Sequence, residues 1–377
     1  MEYEQPTKLD RLMHAVAEHR RLSVAVTLVI HGHEIRVESN SAPLIAAVRG
    51  HYGSDVARDE PMARSHEQQP STRVVLIEAL SPDLGCDFQL WPRDPHALVH
   101  REEYVELSGG RIVRDPVSKL QFLLGQDLSL VIGACLEHKH RVFELINAGV
   151  MECLGAVGYV PCRGAAVSIG QRALAICGPA RSGRSTLALR LVEQGAGLLA
   201  SERFLLSVTH QLGNILGVPD APRATVGTMF GSPALRGLLS DERRRELGHL
   251  TASDLWALDH AQSVDLEAAF GRNVLCSDAR IRAVIALAWD PSSTEGCVVT
   301  RRPLREHPTL AAWLAKRPGP LCRSAVAVAG AATDGATDAL SRDYARYLQR
   351  LSDLETWQFT GGVDFARATE LCLDLLT

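Results

Sequence analysis

Residues 172–194 hold the densest chemistry in the chain. Ala173-Leu-Ala-Ile-Cys177 is a short apolar run that predicts a buried strand. Gly178-Pro-Ala-Arg181-Ser182-Gly183-Arg184-Ser185-Thr186 follows directly. Leu187, Ala188, Leu191 and Val192 then recur on one face of a predicted helix, which Gly195 and Gly197 close. Strand, glycine-bounded loop and helix in this order can cradle a phosphate. The glycines let the N–H groups of Gly178 and of Arg181 to Thr186 turn toward anionic oxygens, and the helix N-terminus adds partial positive charge. The spacing follows the phosphate-loop pattern G-x-x-x-x-G-K-[ST] except that Arg184 stands at the lysine. Arginine keeps the charge but carries it on a longer, planar fork. Ser185 supplies a hydroxyl for Mg²⁺. The same residues also suit a tight strand-to-helix turn with no ligand.

The rest of the chain must position that segment. Its 377 residues are enough for two domains, and a net charge of −4 gives no basic field for nucleic acid or an anionic membrane. No run of about 20 apolar residues is present to span a bilayer, and the first 22 residues lack the apolar centre of a signal peptide. The nine cysteines are scattered without CxxC pairs, which fits a reducing, cytoplasmic setting. Only four lysines occur (Lys8, Lys119, Lys139 and Lys316) among 40 basic residues, so arginine at position 184 reflects composition as well as chemistry.

Periodicity divides the chain near residue 136. Residues 1–136 read as a smaller N-terminal α/β domain. Helices are expected over 8–20 and, capped within Ser39–Ser41, over 42–52, and a turn at His31-Gly32-His33-Glu34 joins the apolar run 22–30 to a strand over 35–38. Further strands are expected at 73–78, 104–108, 111–114 and 128–134, with an exposed loop over 54–72. Residues 137–377 open on a helix over 137–155. They then alternate short apolar runs with amphipathic segments, which predicts βαβ units on a largely parallel sheet. Helices are expected at 240–247, 252–258 and 342–351, and residues 326–340 form a loop or a weak helix.

Gly178–Thr186, the helix after it, and Gly195-Ala-Gly-Leu-Leu-Ala-Ser201-Glu202-Arg203 together resemble the HPr kinase/phosphorylase core. The chain is most similar to the HPr-kinase-related kinase B family of bacterial gene clusters that also encode an ATP-grasp protein. Also carrying the resemblance are Gly217-Val-Pro-Asp-Ala-Pro-Arg223-Ala-Thr225-Val-Gly227-Thr228, Asp254-Leu-Trp256, Asp265 with Phe270-Gly271, Pro318-Gly-Pro320 and Thr360-Gly-Gly-Val-Asp364-Phe365. It covers residues 137–377 well and the N-terminal part loosely. It implies an α/β fold with a P-loop C-terminal core, ATP and Mg²⁺ as cofactors, and phosphoryl transfer to a hydroxyl, with a protein serine as prototype acceptor. Self-association into a homo-oligomer is implied on the same basis.

Three positions depart from the family. Its histidine before the loop aligns with Arg163, its loop lysine with Arg184, and its acidic pair after the helix with Ser201-Glu202. Glu202 is the surviving candidate base and, with Ser185, the candidate Mg²⁺ ligand. Arg163, Arg184 and Arg223 are the candidate catalytic cations. Bland roles fit each as well: Arg163 on the surface, Ser201 in a turn, Glu202 in a solvated ion pair, Arg223 in a solvated loop. The His31/His33 and His138/His140 pairs receive no metal, and residues 241–246 read as a solvated helix start. Two functions remain open: an ATP-dependent serine-type kinase with a degenerate site, and a catalytically inactive pseudokinase that regulates or scaffolds. The expected partner is a protein or small-molecule phosphoryl acceptor, or a protein of the same gene cluster. Neither nucleic acid nor membrane is expected.

Overall fold

The computed structural model describes residues 7–18, 20–53, 56–59, 72–91, 102–207, 213–220, 222–258, 261–271, 274–290, 292–316, 319–323, 345–346 and 348–377. Most of the expected loop over 54–72, all of 326–340, the first residues of the helix expected over 342–351, and Pro318 lie outside them. The chain divides into two compact units: Met1–Val157 with Arg317–Tyr344, and Gly158–Lys316 with Ala345–Thr377. It is a mixed α/β protein built on two large mixed sheets.

In the first unit nine strands form one sheet. The hairpin Val24–Ile30/His33–Ser39 is antiparallel, and His33–Ser39, Thr72–Glu78 and Leu128–Gly133 run parallel. Ala57–Asp59 pairs with Val24–Ile30 at one edge, and the other strands continue from Leu128–Gly133 as an antiparallel meander, including Gln121–Leu124, a strand absent from the sequence expectations. Helix Lys8–Ala17 starts on a reciprocal cap between Thr7 and Asp10 and packs Leu9, Met13 and Val16 against Val75, Ile112 and Ile132. Ser41 caps helix Ala42–Tyr52 with its hydroxyl, as the sequence suggests. Helix Lys139–Ala156 carries Arg141, which pairs at 2.9 Å with Asp115 and at 2.9 Å with Glu102, and also with Glu144. Burial works to raise the Asp115 pKa, but the Val117 N–H and the Arg141 charge outweigh it and hold the carboxyl below its usual value.

The second unit corrects the expectation of a largely parallel sheet. Strands Arg172–Cys177, Asp278–Leu287 and Glu355–Thr360 are parallel neighbours, whereas the other pairings are antiparallel. The physical reason is loop length. Residues 170–171 connect Ala165–Ile169 to Arg172–Cys177, and so short a connection can only make a hairpin. Strand Val160–Arg163 runs against Arg203–Ser207, and Ala165–Ile169 against Gly197–Ala200 with a register shift between Ala166 and Val167. Helix Arg184–Glu193 lays Leu187, Leu191 and Val192 on this sheet, where they meet Leu174, Ile176 and Ile285. Helix Phe365–Leu376 packs beside it.

Candidate functional site

Strand Arg172–Cys177 is fully buried from Ala173 onward, and it delivers the chain rigidly into residues 178–183. The loop turns through Arg181 at φ 64 and Gly183 at φ 88. Gly183 is the N-cap of helix Arg184–Glu193, and a Cβ there would collide with the Phe365 ring. Glycine is therefore required by both backbone conformation and space. No side chain caps this helix, so its first N–H groups have neither an intrahelical nor a side-chain acceptor.

One hydrogen bond orients the loop. The Trp289 indole N–H donates to the Ser182 carbonyl oxygen at 2.8 Å in a buried position. In a trans peptide the C=O and the next N–H point in opposite directions. The Gly183 N–H is accordingly turned away from Trp289. At the helix start, the Thr186 and Thr228 hydroxyls are 2.7 Å apart and buried, and Thr225 lies 3.0 Å from Thr228. Thr225 also caps helix Val226–Gly231.

Arg163, Arg184 and Glu202 come within electrostatic reach of one another near Cys177, the end of the loop strand. Arg163 ends strand Val160–Arg163, and the next residue, Gly164, donates its N–H to the Glu202 carbonyl at 2.9 Å. A Cβ on Gly164 would strike the Ile176 carbonyl oxygen, so this crossing needs glycine to approach the loop strand. Burial lowers the Arg184 pKa, and the Arg163 charge lowers it further, while Cys177 and Glu202 act the other way. Arg184 Nη1 is buried and has no hydrogen-bond partner among the described residues, and the same holds for the Ser182 and Ser201 hydroxyls. Both serines are only 7% exposed. Orphaned buried donors are costly, and here they are an arginine nitrogen and two hydroxyls, a set that suits an anion.

Glu202 itself is exposed, and Ser185 is half-buried. Among the described residues no group of three or more His, Cys, Asp or Glu side chains could hold a metal. A Mg²⁺ here would rely on Ser185, Glu202 and the phosphate oxygens, which is how this ion is usually held. Arg223 is exposed and donates to the Ala261 carbonyl at 2.9 Å. Its strand, Arg223–Thr225, packs against helix Arg184–Glu193, but its guanidinium is already engaged.

Several residues here were not singled out as site residues by sequence reasoning: Trp289, Thr228, Trp256, Phe365 and Arg190. Trp256 stacks on Phe365 with ring centroids 5.5 Å apart and planes 5° from parallel. The Arg190 guanidinium lies 5.1 Å from the Phe365 centroid. Three of the segments quoted for the resemblance (225–228, 254–256 and 364–365) thus meet around one helix.

Among the described residues no helix is long and apolar enough to cross a membrane. No protein-family model matches the chain, and no curated protein matches it. Among solved structures it is similar to the Hpr(Ser) kinase/phosphatase from Coxiella burnetii, at 9% identity and a TM-score of 0.28. That similarity covers 57% of this chain and 93% of the other.

Proposed function

We propose that this chain binds a nucleoside triphosphate, ATP in the first instance, in a P-loop formed by residues 178–186, and transfers its terminal phosphoryl group to a hydroxyl. The observation that carries the proposal is the buried, unpartnered Arg184 Nη1 in the first turn of a helix whose N-cap, Gly183, has no side chain. A phosphate oxygen supplies the acceptor that this nitrogen lacks, next to the free N–H groups of the helix start.

The roles follow from position. Backbone N–H groups of residues 183–186 hold phosphate oxygens, while that of Ser182 donates to the Pro179 carbonyl at 3.2 Å. Arg184 and Arg163 offset the charge that gathers on the transferred group, where electrostatic stabilisation matters most. Mg²⁺, carried by Ser185, Glu202 and the phosphates, adds charge neutralisation when bound. Exposed Glu202 takes the proton of the acceptor hydroxyl as the new O–P bond forms and the β–γ bridging bond breaks. The nucleoside diphosphate is the leaving group.

A second reading is favoured by one position. Ser201 stands where the family has its first acid, and a hydroxyl cannot serve as a base at neutral pH. Binding without transfer, as a pseudokinase, follows if Glu202 does not substitute for that acid. Incubation of the purified chain with γ-labelled ATP and an extract of its source organism separates the two. Label transferred to a protein or metabolite supports the kinase. ATP binding with neither transfer nor hydrolysis supports the pseudokinase.

A further inference from the structure

The described part of the second unit holds a cavity of about 230 Å³ on a different side of the loop helix from Arg184. Thr186, Leu189, Arg190, Thr228, Leu255 and Trp256 line it. Residues 186, 189 and 190 share one helix face by the i, i+3, i+4 rule. Arg184, two residues before Thr186, lies about 200° round the helix from it. Arg184 feels Arg163 and Glu202, whereas Thr186 is bonded to Thr228 in the cavity wall. The helix N-terminus therefore has two sides: one crowded with charge, and one that opens into a partly apolar hollow.

The hollow has the features of a slot for a flat ring. Trp256 is its aromatic wall, and one face of that indole is occupied by Phe365 at 5.5 Å. Trp256 is nevertheless 46% exposed, an unusual state for so large an apolar side chain. Its position is fixed by the Phe365 stack and by the reciprocal cap between Thr251 and Asp254 at the start of its helix, so no ligand is needed to order it. The hollow is smaller than the roughly 300–1,000 Å³ of sites that enclose a drug-sized molecule. It suits one ring system whose remainder extends outside. Thr186 marks where that remainder would go, since its N–H belongs to the first turn of the helix.

We infer that this cavity is the seat of the nucleobase, stacked on the open face of Trp256, with the phosphates passing across Thr186 to the loop. The inference rests on the phosphate-loop assignment for where the rest of the ligand lies, but the ring slot can be tested without it. The test uses the full chain and two free nucleosides, adenosine and guanosine, alongside inorganic tripolyphosphate. Intrinsic fluorescence is compared between the wild type and Trp256→Phe, which isolates the Trp256 signal from the other four tryptophans. Saturable quenching of Trp256 by a nucleoside is expected. Calorimetry should show nucleoside affinity weakened about tenfold or more in Trp256→Ala, in keeping with base stacking on aromatics. Trp256→Phe keeps a ring face and should keep most of the affinity. Tripolyphosphate affinity should be the same in all three proteins.

Absence of nucleoside binding to the folded wild type overturns the inference, whatever tripolyphosphate does. Quenching by tyrosinamide and by neither nucleoside would give the cavity to a protein side chain, and also overturns it. Nucleoside binding without tripolyphosphate binding upholds the ring slot and sinks the phosphate-loop reading instead.

Discussion

The Gly164 N–H donates to the Glu202 carbonyl oxygen at 2.9 Å, and this bond joins the two chain segments that carry the altered charges. It ties the residue after Arg163, at the end of strand Val160–Arg163, to the bend that carries Glu202 between Gly197–Ala200 and Arg203–Ser207. Arg163 and Glu202 both act electrostatically on Arg184. Glu202 thus acts on Arg184 from the side that also carries the Arg163 charge.

Glu202→Gln separates binding from chemistry. The amide keeps the size of the side chain and leaves the Gly164 bond untouched, because that bond uses the backbone. Nucleotide affinity measured without Mg²⁺ should change little, because Glu202 reaches the phosphates only through the ion. The transfer rate should fall by about 10²-fold or more, the usual contribution of a positioned acid or base. Single-turnover kinetics with labelled ATP measure both quantities. An unchanged rate would remove Glu202 from the role of base.

Arg184→Met should weaken tripolyphosphate binding by about 10- to 100-fold, corresponding to the roughly 1.5–3 kcal/mol of a hydrogen bond to a charged group. The free protein should not lose stability. In the unliganded chain Arg184 is a half-buried cation whose Nη1 is buried and unpartnered, and burial disfavours its charge. Calorimetry and thermal melts of the same two proteins test both halves. A large drop in Tm with unchanged anion affinity would make Arg184 a structural residue.

Gly183→Ala places a Cβ at φ 88 and against Phe365. The left-handed backbone alone costs about 1–2 kcal/mol for an L-residue, and the collision adds to it. Denaturant titration of G183A and of G183A/F365A resolves the two parts. The double variant should recover the steric share, measured against F365A alone, and keep the backbone share.

The legible part of the site was the part written in consecutive residues. Strand 173–177, the loop glycines and the apolar face of helix 184–193 follow from turn chemistry and from a period of 3.6. The Trp289–Ser182 bond spans 107 positions and the Thr186–Thr228 contact spans 42. No periodicity reports such pairs, because they depend on how the sheet folds. Sheet direction was misread for a related reason. Short apolar runs look alike in parallel and antiparallel neighbours, and only the two-residue connection at 170–171 betrays the hairpin. Trp256 and Phe365 could be quoted as parts of motifs, but their stacking could not be read from them. In the first unit, Ser41 and residues 42–52 were legible because a cap and its helix are local. Strand Gln121–Leu124 was missed because all four of its residues are buried, which leaves no apolar–polar alternation to read.

Asp115 and Arg141 set an acid limit on the first unit. The folded-state pKa of Asp115 lies below the ordinary 3.8. Its contribution is therefore present above that value and is lost as pH falls through the folded value. At pH 7, Asp115→Asn should unfold at lower denaturant than the wild type, and the gap should close as pH drops below 3.8. Arg141→Ala, which strands the buried acids, should cost about 3–5 kcal/mol at pH 7. Urea titrations across pH 3 to 7 check both, and a gap that widens at low pH would refute the sign.

The central claim is that residues 178–186 hold the phosphates of a nucleotide, and calorimetric titration of the full chain with ATP and Mg²⁺ tests it most directly. The account predicts saturable binding in the micromolar range, about −8 kcal/mol, abolished or much reduced in Arg184→Met. A folded protein that gives no heat at millimolar ATP would contradict it.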